Sequence, residues 1–404
     1  MPDFWQHGPI TTLQALAAED PRLRDAEITA CARRRPVALV LPCLYSELLG
    51  PALPRILEEL SGVGYLHRVV VTLGVAGPEE FRAAREFFGR LPHPVRIVWN
   101  DGPRIRALKE RIRATGLPLG EPGKGLAAWM AYGYLLADPD VAVIALHDTD
   151  IVTYERGLLD RLVRPLVRDD LGYGFAKGYY ARVTDRLHGR ATRLFVGPFL
   201  AALGRLVGPH PLLGYLGAFR YPLAGEFAMT EHMARVARVP ADWGLEVGTL
   251  VEAYRICGPR EVCQVDLAVE YEHKHQETGS GGDRPSGLVR MAREIAGTVL
   301  RALAEEGVAL PEAALGSLPL AYLGEAREAV RRYGHLAAVN GLACDLHGES
   351  ALAETFSLAL EAAVGSFLDR PSGVPPIPSW ERVAAALPGI HDELVDAVEA
   401  DHRG

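Results

Sequence analysis

The 404-residue sequence contains little lysine, and this shortage limits the partners that the protein can bind. It has four lysines against 39 arginines, and no run of basic residues of the kind that binds a phosphate backbone. Acidic residues outnumber basic ones, so that the net charge is −8 at pH 7. We therefore expect no nucleic-acid partner.

Paired cysteines and long apolar segments are also missing. The five cysteines are odd in number and lack the CxxC spacing of a zinc site or a disulfide framework, so we expect reduced thiols and no structural zinc. No uninterrupted apolar run reaches the roughly 18 to 20 residues that span a bilayer. The polar start of the chain lacks the regions of a signal peptide. These absences predict a cytoplasmic protein with no membrane partner.

Two common nucleotide-binding motifs are absent as well. A lysine between glycines, Lys124, lies in Gly123-Lys-Gly125, but a Walker A loop has serine or threonine after its lysine and glycine in place of Pro118. No GxGxxG follows the first predicted strand, as a dinucleotide-binding domain requires. The sequence therefore disfavours both a P-loop ATPase and a dinucleotide-binding Rossmann domain.

Short apolar runs alternate with segments of helical periodicity in the first part of the chain. The predicted strands are 36–42, 67–73, 95–99 and 141–146, and the predicted helices are 49–60, 78–90 and one that begins near residue 125. This alternation predicts an α/β fold with a mostly parallel sheet, whose ligands bind beyond the carboxyl ends of the strands. Polar segments follow each of these strands, so a site is expected there.

The chain exceeds the size at which one core usually stops growing, so two domains or one large domain with an appendage are expected. Composition and periodicity divide it into a helical extension over 1–34 with a helix over 13–34, an α/β domain over 35–276 that contains the expected site, a flexible glycine- and serine-rich loop over 277–287, and a helical region over 288–404 that ends in a short helix over 381–387.

Two carboxylates one residue apart, Asp148 and Asp150, follow the apolar run 141–146. At the turn after a strand both can converge on one divalent cation, although acidic pairs also fill ordinary turns. Further along, His273 and His275 form a His-x-His pair, which is a metal-ligand spacing. Carboxylates, one imidazole and phosphate oxygens suit Mg²⁺ or Mn²⁺ better than zinc.

A second polar group lies at a predicted helix start. Gly189, Arg190 and Thr192 offer backbone N–H groups, a guanidinium and a hydroxyl to an anion. An ordinary helix N-cap is the alternative interpretation of the same residues.

Eight short motifs in consistent order resemble the glucosyl-3-phosphoglycerate synthase family. They occupy residues 42–47, 123–125, 148–150, 177–180, 189–192, 222–226, 243–246 and 272–273. The resemblance implies a retaining glycosyltransferase of the GT-A fold, with a Rossmann-like, mostly parallel sheet flanked by helices and a C-terminal helical appendage. The chain departs from the family pattern at Tyr45-Ser46, where relatives carry acidic residues or asparagine, and at Tyr271, near an arginine position.

The resemblance also implies a role for individual residues. It gives nucleotide binding to Pro42, Leu44, Glu47, Lys124, Asp148 and Thr149. It gives the donor sugar to Leu223, Glu226 and Glu246, and the acceptor phosphate to Gly189, Arg190, Thr192 and His275. It gives the metal to Asp150 and His273, and catalysis to Asp150, Glu246 and Leu223.

The reaction implied is transfer of glucose from UDP-glucose to 3-phospho-D-glycerate with Mg²⁺ or Mn²⁺, giving glucosyl-3-phosphoglycerate on the way to the solute glucosylglycerate. A homodimer is the implied assembly. The nearer alternative is a mannosyl-3-phosphoglycerate or glucosylglycerate synthase with a GDP-linked donor or free glycerate as acceptor. A nucleotidyltransferase and a non-enzymatic ligand-binding module are the more distant alternatives.

Overall fold

One eight-stranded sheet forms the centre of the protein. The computed structural model describes residues 6, 8–16, 20–240, 244–268 and 285–403, with the backbone alone at 285 and 286. The strands are β1 (Thr11–Leu13), β2 (Val37–Leu44), β3 (Leu66–Gly74), β4 (Val95–Trp99), β5 (Val143–Leu146), β6 (Phe175–Tyr180), β7 (Phe227–Thr230) and β8 (Val262–Ala268).

The strands lie in the order β1-β8-β6-β7-β5-β2-β3-β4. Only β7 is antiparallel to its neighbours, β5 and β6, and every other pairing is parallel. The central strands consist almost entirely of buried apolar residues, as expected of a parallel sheet covered on both faces. The predicted α/β fold with a mostly parallel sheet is confirmed, and the seven parallel strands share one carboxyl edge.

Helices cover both faces of this sheet. They are α1 (Pro21–Ala32), α2 (Ala52–Ser61), α3 (Pro78–Phe88), α4 (Pro103–Ala114), α5 (Lys124–Leu135), α6 (Arg156–Val167), α7 (Gly197–Val207), α8 (Pro211–Gly217), α9 (Glu231–Val236), α10 (Leu245–Ile256), α11 (Pro285–Glu305), α12 (Glu312–Val339), α13 (Leu346–Asp369), α14 (Trp380–Ala386) and α15 (Ile390–Arg403). A 3₁₀ turn follows β2 at Tyr45–Leu49, another lies at Pro259–Glu261, and a π-helical turn precedes α7 at Ala191–Val196.

The predicted N-terminal helix over 13–34 was wrong at its start. Residues Thr11–Leu13 form β1, which pairs with β8 at the edge of the sheet. The helix begins only at Pro21, where the Asp20 side chain accepts a hydrogen bond from the Arg22 N–H. Aspartate at the cap and proline in the first turn are start signals. The helical periodicity upstream of these start signals was misleading, because β1 is stabilised by pairing with β8, which begins at residue 262.

The C-terminal helices pack onto the sheet domain through one continuous apolar core. Phe195 and Phe199, beside the π-helical turn, contact each other at 5.4 Å between ring centroids, and Phe356 of α13 lies 5.3 Å from Phe195. Further on, the indoles of Trp129 and Trp380 stack at 4.0 Å. Because side chains more than 150 residues apart share this core, the helical region and the sheet stabilise each other.

Helix α13 is long and apolar enough to cross a membrane by length and composition alone. Its buried side chains, however, belong to the core that it shares with α12 and α7. Core helices pass the same test, so this single helix is weak support for a membrane span.

The short helix over 381–387 was predicted as the last one. The structure has a further helix, α15, which packs beside the edge strand β4. The His402 Nε2 atom accepts a hydrogen bond from the Ile97 N–H at 2.9 Å, and the Arg96 guanidinium contacts Glu399 at 2.6 Å. Helix α15 therefore covers backbone donors that an edge strand otherwise leaves unpaired.

This contact predicts a stability that falls in mild acid. Burial and the nearby Arg96 and Arg85 lower the pKa of His402 from its ordinary value of 6.5, and its Nε2 must be unprotonated to accept the Ile97 N–H. The unfolded chain then binds the extra proton at higher pH than the folded chain, so this histidine reduces the free energy of unfolding as pH falls below 6.5. Glutamine accepts the same hydrogen bond without titrating.

We expect the melting temperature of the wild type to fall by about 2 °C more than that of His402→Gln between about pH 7.5 and about pH 5.5. Differential scanning calorimetry of both proteins measures the difference. Equal losses in the two proteins contradict the assignment.

Candidate active site

The carboxyl edge of the sheet brings together most of the polar segments singled out in the sequence. Strands β2, β3, β5, β6 and β8 all end there, because they are parallel to one another. Directly after β5 comes the Asp148-Thr149-Asp150 segment, and Lys124 opens α5 close by. The predicted position of the site at this edge agrees with the geometry.

A lysine bridges two carboxylates at the centre of the edge. The Lys124 Nζ atom lies 2.7 Å from Asp148 Oδ1 and donates to Glu246 Oε1 at 3.2 Å. Burial favours the neutral amine, but these two carboxylates outweigh it and raise the pKa of Lys124 above its ordinary value of 10.5. Lys124 is thus a permanent cation, and the three side chains come from the starts of α5 and α10 and the end of β5.

Close packing holds the Asp-x-Asp segment in place. The Thr149 hydroxyl donates to the Pro42 carbonyl at 2.8 Å, which ties the segment to β2. On its other side, a Cβ atom added to Gly225 lies only 2.1 Å from Asp148 Oδ2, so only glycine lets the loop approach this carboxylate. Asp150 lies half-buried at the end of the same turn.

A second lysine, Lys177 on β6, lies completely buried behind this site. Its ammonium group donates to the Ala224 carbonyl at 2.5 Å and lies over the Phe227 ring. Burial lowers the pKa of Lys177 to about 8, and the charges of Glu246 and Glu226 oppose that shift. Lys177 therefore fixes the backbone next to Leu223, a role that the sequence motif around residue 177 did not reveal.

The predicted donor-sugar residues divide into half-buried and completely buried members. Leu223 is half-buried, while Glu226 is completely buried and its carboxylate accepts a hydrogen bond from the Tyr180 hydroxyl at 2.8 Å. The Glu226 carbonyl also accepts from the Gly178 N–H at 2.9 Å. Glu226 thus supports the loop from below, whereas Leu223 and Glu246 lie nearer the open side.

A strained residue lies where β3 ends. Val75 has φ +53°, and within the described ranges it is the only residue other than glycine with positive φ. This conformation costs a residue with a Cβ atom about 1–2 kcal/mol. The next peptide holds it in place, because the Ala76 N–H donates to Asp101 Oδ2 at 3.1 Å and the Ala76 carbonyl accepts from the Trp99 indole at 2.7 Å.

The predicted phosphate group, Gly189 to Thr192, lies at the start of the π-helical turn before α7. Gly189 has φ +72°, which favours glycine, and Arg190 is exposed. The Thr192 hydroxyl oxygen is buried and, within the described ranges, has no hydrogen-bond partner. π-Helical turns occur frequently at functional sites. The structure thus places an exposed guanidinium and a hydroxyl without a partner among the described residues at the start of this turn.

An arginine fixes the loop that leads into this group. The Arg193 guanidinium donates to the backbone carbonyls of Leu187 and His188, at 3.1 and 2.9 Å. It also pairs with Glu349 of α13 at 2.7 Å and lies 4.8 Å from the Tyr333 ring centre. The C-terminal helices therefore position the loop directly before the predicted acceptor group.

This pairing predicts a selective effect on the acceptor. In Glu349→Gln the guanidinium loses its charged partner and the 187–189 backbone loosens, while Lys124 and its carboxylates are untouched. We expect the KM for the acceptor that the resemblance implies, 3-phosphoglycerate, to rise about tenfold and the KM for the implied donor, UDP-glucose, to change by less than about twofold. Glu328→Gln, which removes an exposed ion pair with Arg331 on α12, is the matched control. Equal rises in both KM values contradict this positioning role.

Two predicted site residues, His273 and His275, lie outside the described residues, as do Tyr271 and Trp243 from the comparison with the family motifs. Within the described ranges no group of three or more histidine, cysteine, aspartate or glutamate side chains is arranged to hold a metal ion. Asp150 with His273 therefore stays a predicted metal pair. Pro42 and Leu44 lie at the end of β2, where Pro42 contacts Thr149, and Glu47 lies in the 3₁₀ turn that follows.

A mostly parallel sheet with one antiparallel strand, and an Asp-x-Asp segment at its carboxyl edge, define a glycosyltransferase of the GT-A fold. The fold matches a crystal structure of glucosyl-3-phosphoglycerate synthase from Mycobacterium tuberculosis in complex with Mn²⁺, UDP-glucose and phosphoglyceric acid, with a TM-score of 0.54, 24% identity and coverage of 74% of this chain and 89% of that one. A further crystal structure of that enzyme contains Mg²⁺ and UDP, with a TM-score of 0.53 and 24% identity over 74% of this chain and 88% of that one.

Sequence comparison identifies the family. The chain is 43% identical to the glucosyl-3-phosphoglycerate synthase of Persephonella marina, over 100% of this chain and 99% of that protein. It is 37% identical to the synthase of Methanococcoides burtonii, over 99% and 98%. No family model matches the chain. The chain belongs to the glucosyl-3-phosphoglycerate synthase family, as the motifs predicted.

Proposed function

We propose that this protein transfers glucose from UDP-glucose to 3-phosphoglycerate, with retention of the anomeric configuration, giving glucosyl-3-phosphoglycerate and UDP. Membership of the family over the full length supports the reaction. The structural observation that carries the proposal is the bridge from Lys124 to Asp148 and Glu246 at the carboxyl edge of the sheet. It supplies one fixed cation and two carboxylates where a charged nucleotide and a polyhydroxylated sugar meet.

The donor nucleotide lies along the ends of β2 and β5 in this proposal. Leu44 and Glu47 follow β2 and contact the uridine, and the Asp148 carboxylate accepts from ribose hydroxyls. The Lys124 ammonium faces the diphosphate, since a compact point charge fits a narrow site between two carboxylates better than a guanidinium. Thr149 keeps this segment against β2 through Pro42.

Asp150 and His273 would hold Mg²⁺ or Mn²⁺, with the remaining positions filled by diphosphate oxygens. An aspartate oxygen and an imidazole fit either ion, and the solved relatives contain them. Three strand spacings of about 4.8 Å separate β8 from β5. The five residues from Ala268, the end of β8, to His273 reach about 17 Å when extended, so the histidine is within range. When bound, the cation neutralises charge on the departing diphosphate.

The sugar and the acceptor meet between α10 and the π-helical turn. Glu246 accepts from glucose hydroxyls, and Leu223 lies against the ring, on a loop held from behind by Lys177. The 3-phosphoglycerate phosphate binds Gly189, Arg190 and Thr192, where the buried Thr192 hydroxyl is available to donate, with His275 as a further ligand. This fixes the direction from which the acceptor hydroxyl approaches.

The pairing of the nearby carboxylates favours same-face attack by the acceptor hydroxyl. Asp148 and Glu246 are engaged by Lys124, and Glu226 is buried under Tyr180, so none of these three is placed as a covalent nucleophile. The acceptor oxygen forms the new bond to the anomeric carbon as the bond to the diphosphate breaks. The departing phosphate oxygen takes the proton from the acceptor hydroxyl. The product then keeps the α configuration of the donor.

Product analysis tests the reaction directly. Purified protein is incubated with Mg²⁺ or Mn²⁺, UDP-glucose and 3-phosphoglycerate, and the product is identified by mass and by the proton NMR coupling at its anomeric centre. Parallel reactions contain GDP-glucose, GDP-mannose or free glycerate. We expect the highest kcat/KM with UDP-glucose and 3-phosphoglycerate. Faster turnover with GDP-mannose or with glycerate supports the alternative synthases, and no product with any pair rejects the proposal.

The assembly and the location belong to the same proposal. We infer a cytoplasmic homodimer, because the five cysteines lack the paired spacing of a disulfide framework and the resemblance to the family implies a dimer. Analytical ultracentrifugation at micromolar concentration measures the assembly, and a monomer there contradicts the inference.

A further inference from the structure

Val75 combines two properties that rarely occur together. It is a β-branched residue in the left-handed conformation, with φ +53°, and its side chain is 77% exposed. Left-handed positions usually contain glycine or asparagine, and β-branched residues there are genuine outliers. The core gains nothing from a side chain this exposed. Packing within the protein therefore does not offset the strain energy of this conformation.

Neighbouring residues fix the backbone conformation of Val75. The Ala76 peptide is fixed on both sides, by Asp101 at its N–H and by the Trp99 indole at its carbonyl. Trp99 is in turn held by stacking on Phe81 at 4.8 Å. Strained residues that the surrounding structure holds in this manner cluster at ligand sites.

Val75 lies beside the end of the strand that carries Leu44. The last registered pair of β2 and β3 joins Leu44 to Gly74, directly before Val75. The Leu44 side chain is 49% exposed, and a Cβ atom added to Gly74 lies 3.7 Å from Leu44 Cδ2. Two exposed aliphatic residues thus lie next to one glycine at the carboxyl edge, and we call this pair the Leu44–Val75 wall.

We propose that Val75 is a specificity-determining residue of the donor site, whose side chain packs with Leu44 against the pyrimidine base of the nucleotide. This inference rests on the proposed function. A planar, weakly polar ring is the part of a nucleotide sugar that buries aliphatic surface, since the ribose, diphosphate and glucose need hydrogen-bond partners. Because the valine is held at fixed φ and cannot move aside, we expect it to favour the single ring of uracil over a two-ring purine.

Two substitutions test the proposal through opposite effects on stability and binding. Glycine and asparagine both adopt the left-handed conformation with less strain, so Val75→Gly and Val75→Asn keep or raise the melting temperature. Both lose the aliphatic contact. We expect the dissociation constant of UDP, measured by calorimetry, to rise about tenfold, and the ratio of kcat/KM for UDP-glucose over GDP-glucose to fall about tenfold. The kcat with UDP-glucose changes by less than about twofold, because the base is remote from the reacting bond.

Val374→Gly is the matched control, because Val374 is an exposed loop valine, 61% exposed, without positive φ. It leaves the UDP dissociation constant and the donor ratio unchanged. Two results overturn the proposal: unchanged UDP affinity and donor ratio in both Val75 variants, or weaker binding accompanied by a melting temperature lowered by more than about 5 °C in both.

The wild-type reaction separates this inference from the proposed function. Wild type that binds UDP but forms no product rejects the proposed reaction, while the Val75 variants still support or overturn the base contact through UDP affinity. Wild type that does not bind UDP overturns the base contact as well.

Discussion

Replacement of Asp150 by asparagine is expected to reduce kcat/KM for glucosyl transfer by roughly a thousandfold, which corresponds to about 4 kcal/mol of transition-state stabilisation. Asp150 is the one predicted metal ligand within the described residues, and it ends the turn that Thr149 fixes against Pro42. Asparagine keeps the size of the side chain but removes the negative charge that a divalent cation requires. The effect therefore comes from metal binding and not from a change of shape.

The measurement is UDP release at a series of Mn²⁺ and Mg²⁺ concentrations. We expect Asp150→Asn to need at least tenfold more metal for half-maximal activity, with a melting temperature within about 2 °C of the wild type. Asp140→Asn, an exposed aspartate before the amino end of β5, is the matched control and leaves the metal dependence unchanged. Asp150→Asn with wild-type kcat/KM and metal dependence removes Asp150 from the metal site.

Replacement of Lys124 by methionine is expected to lower kcat/KM for UDP-glucose about a hundredfold. Methionine preserves the length and apolar stem of the side chain but leaves Asp148 and Glu246 facing the donor without their shared cation. Without the lysine charge these two carboxylates repel the diphosphate, so the KM for UDP-glucose rises and kcat falls. Lys124→Arg restores the charge but not the compact shape, and we expect it to recover about tenfold of the loss.

Lys109→Met is the matched control for this change. Lys109 is also a buried lysine, but it donates to the Asn100 carbonyl and side chain on the β4 side of the sheet. It should lower the melting temperature and leave the KM for UDP-glucose unchanged. A Lys124→Met protein with wild-type KM and kcat for both substrates contradicts the role of Lys124 in donor binding.

Local sequence signals were enough to predict the central strands and the motifs at the strand ends. The runs over 36–42, 67–73 and 95–99 became β2, β3 and β4 with shifts of one or two residues, because continuous apolar runs bury on both faces of a parallel sheet. Lys124 and Asp148 also meet as the order of strands predicted. Parallel topology brings the carboxyl ends of seven strands to one edge, which is why motifs at strand ends lie together. The roles of the individual residues came from the family resemblance.

Elements that depend on distant partners were missed. Strand β1 exists because β8 pairs with it across some 250 residues, and the antiparallel β7 inserts between β5 and β6 with a run of only four residues. Helix α15 has Asp392 and Glu393 in its first turn, so a local signal for it was overlooked, and contacts with β4 near residue 97 fix its place. Short strands such as β1 and β7 carry too little periodicity to be distinguished from loops.

By itself, the sequence determined the class of fold, the family and the chemical types gathered at the strand ends, because apolar periodicity and motif order are local properties of the chain. The tertiary structure alone decided which charges pair, as Lys124 does with Asp148 and Glu246, and which side chains lie beneath the site, as Lys177 and Glu226 do. It also decided the strained backbone of Val75. Pairing, burial and strain depend on distances between residues far apart in sequence, and only the packed chain sets those distances.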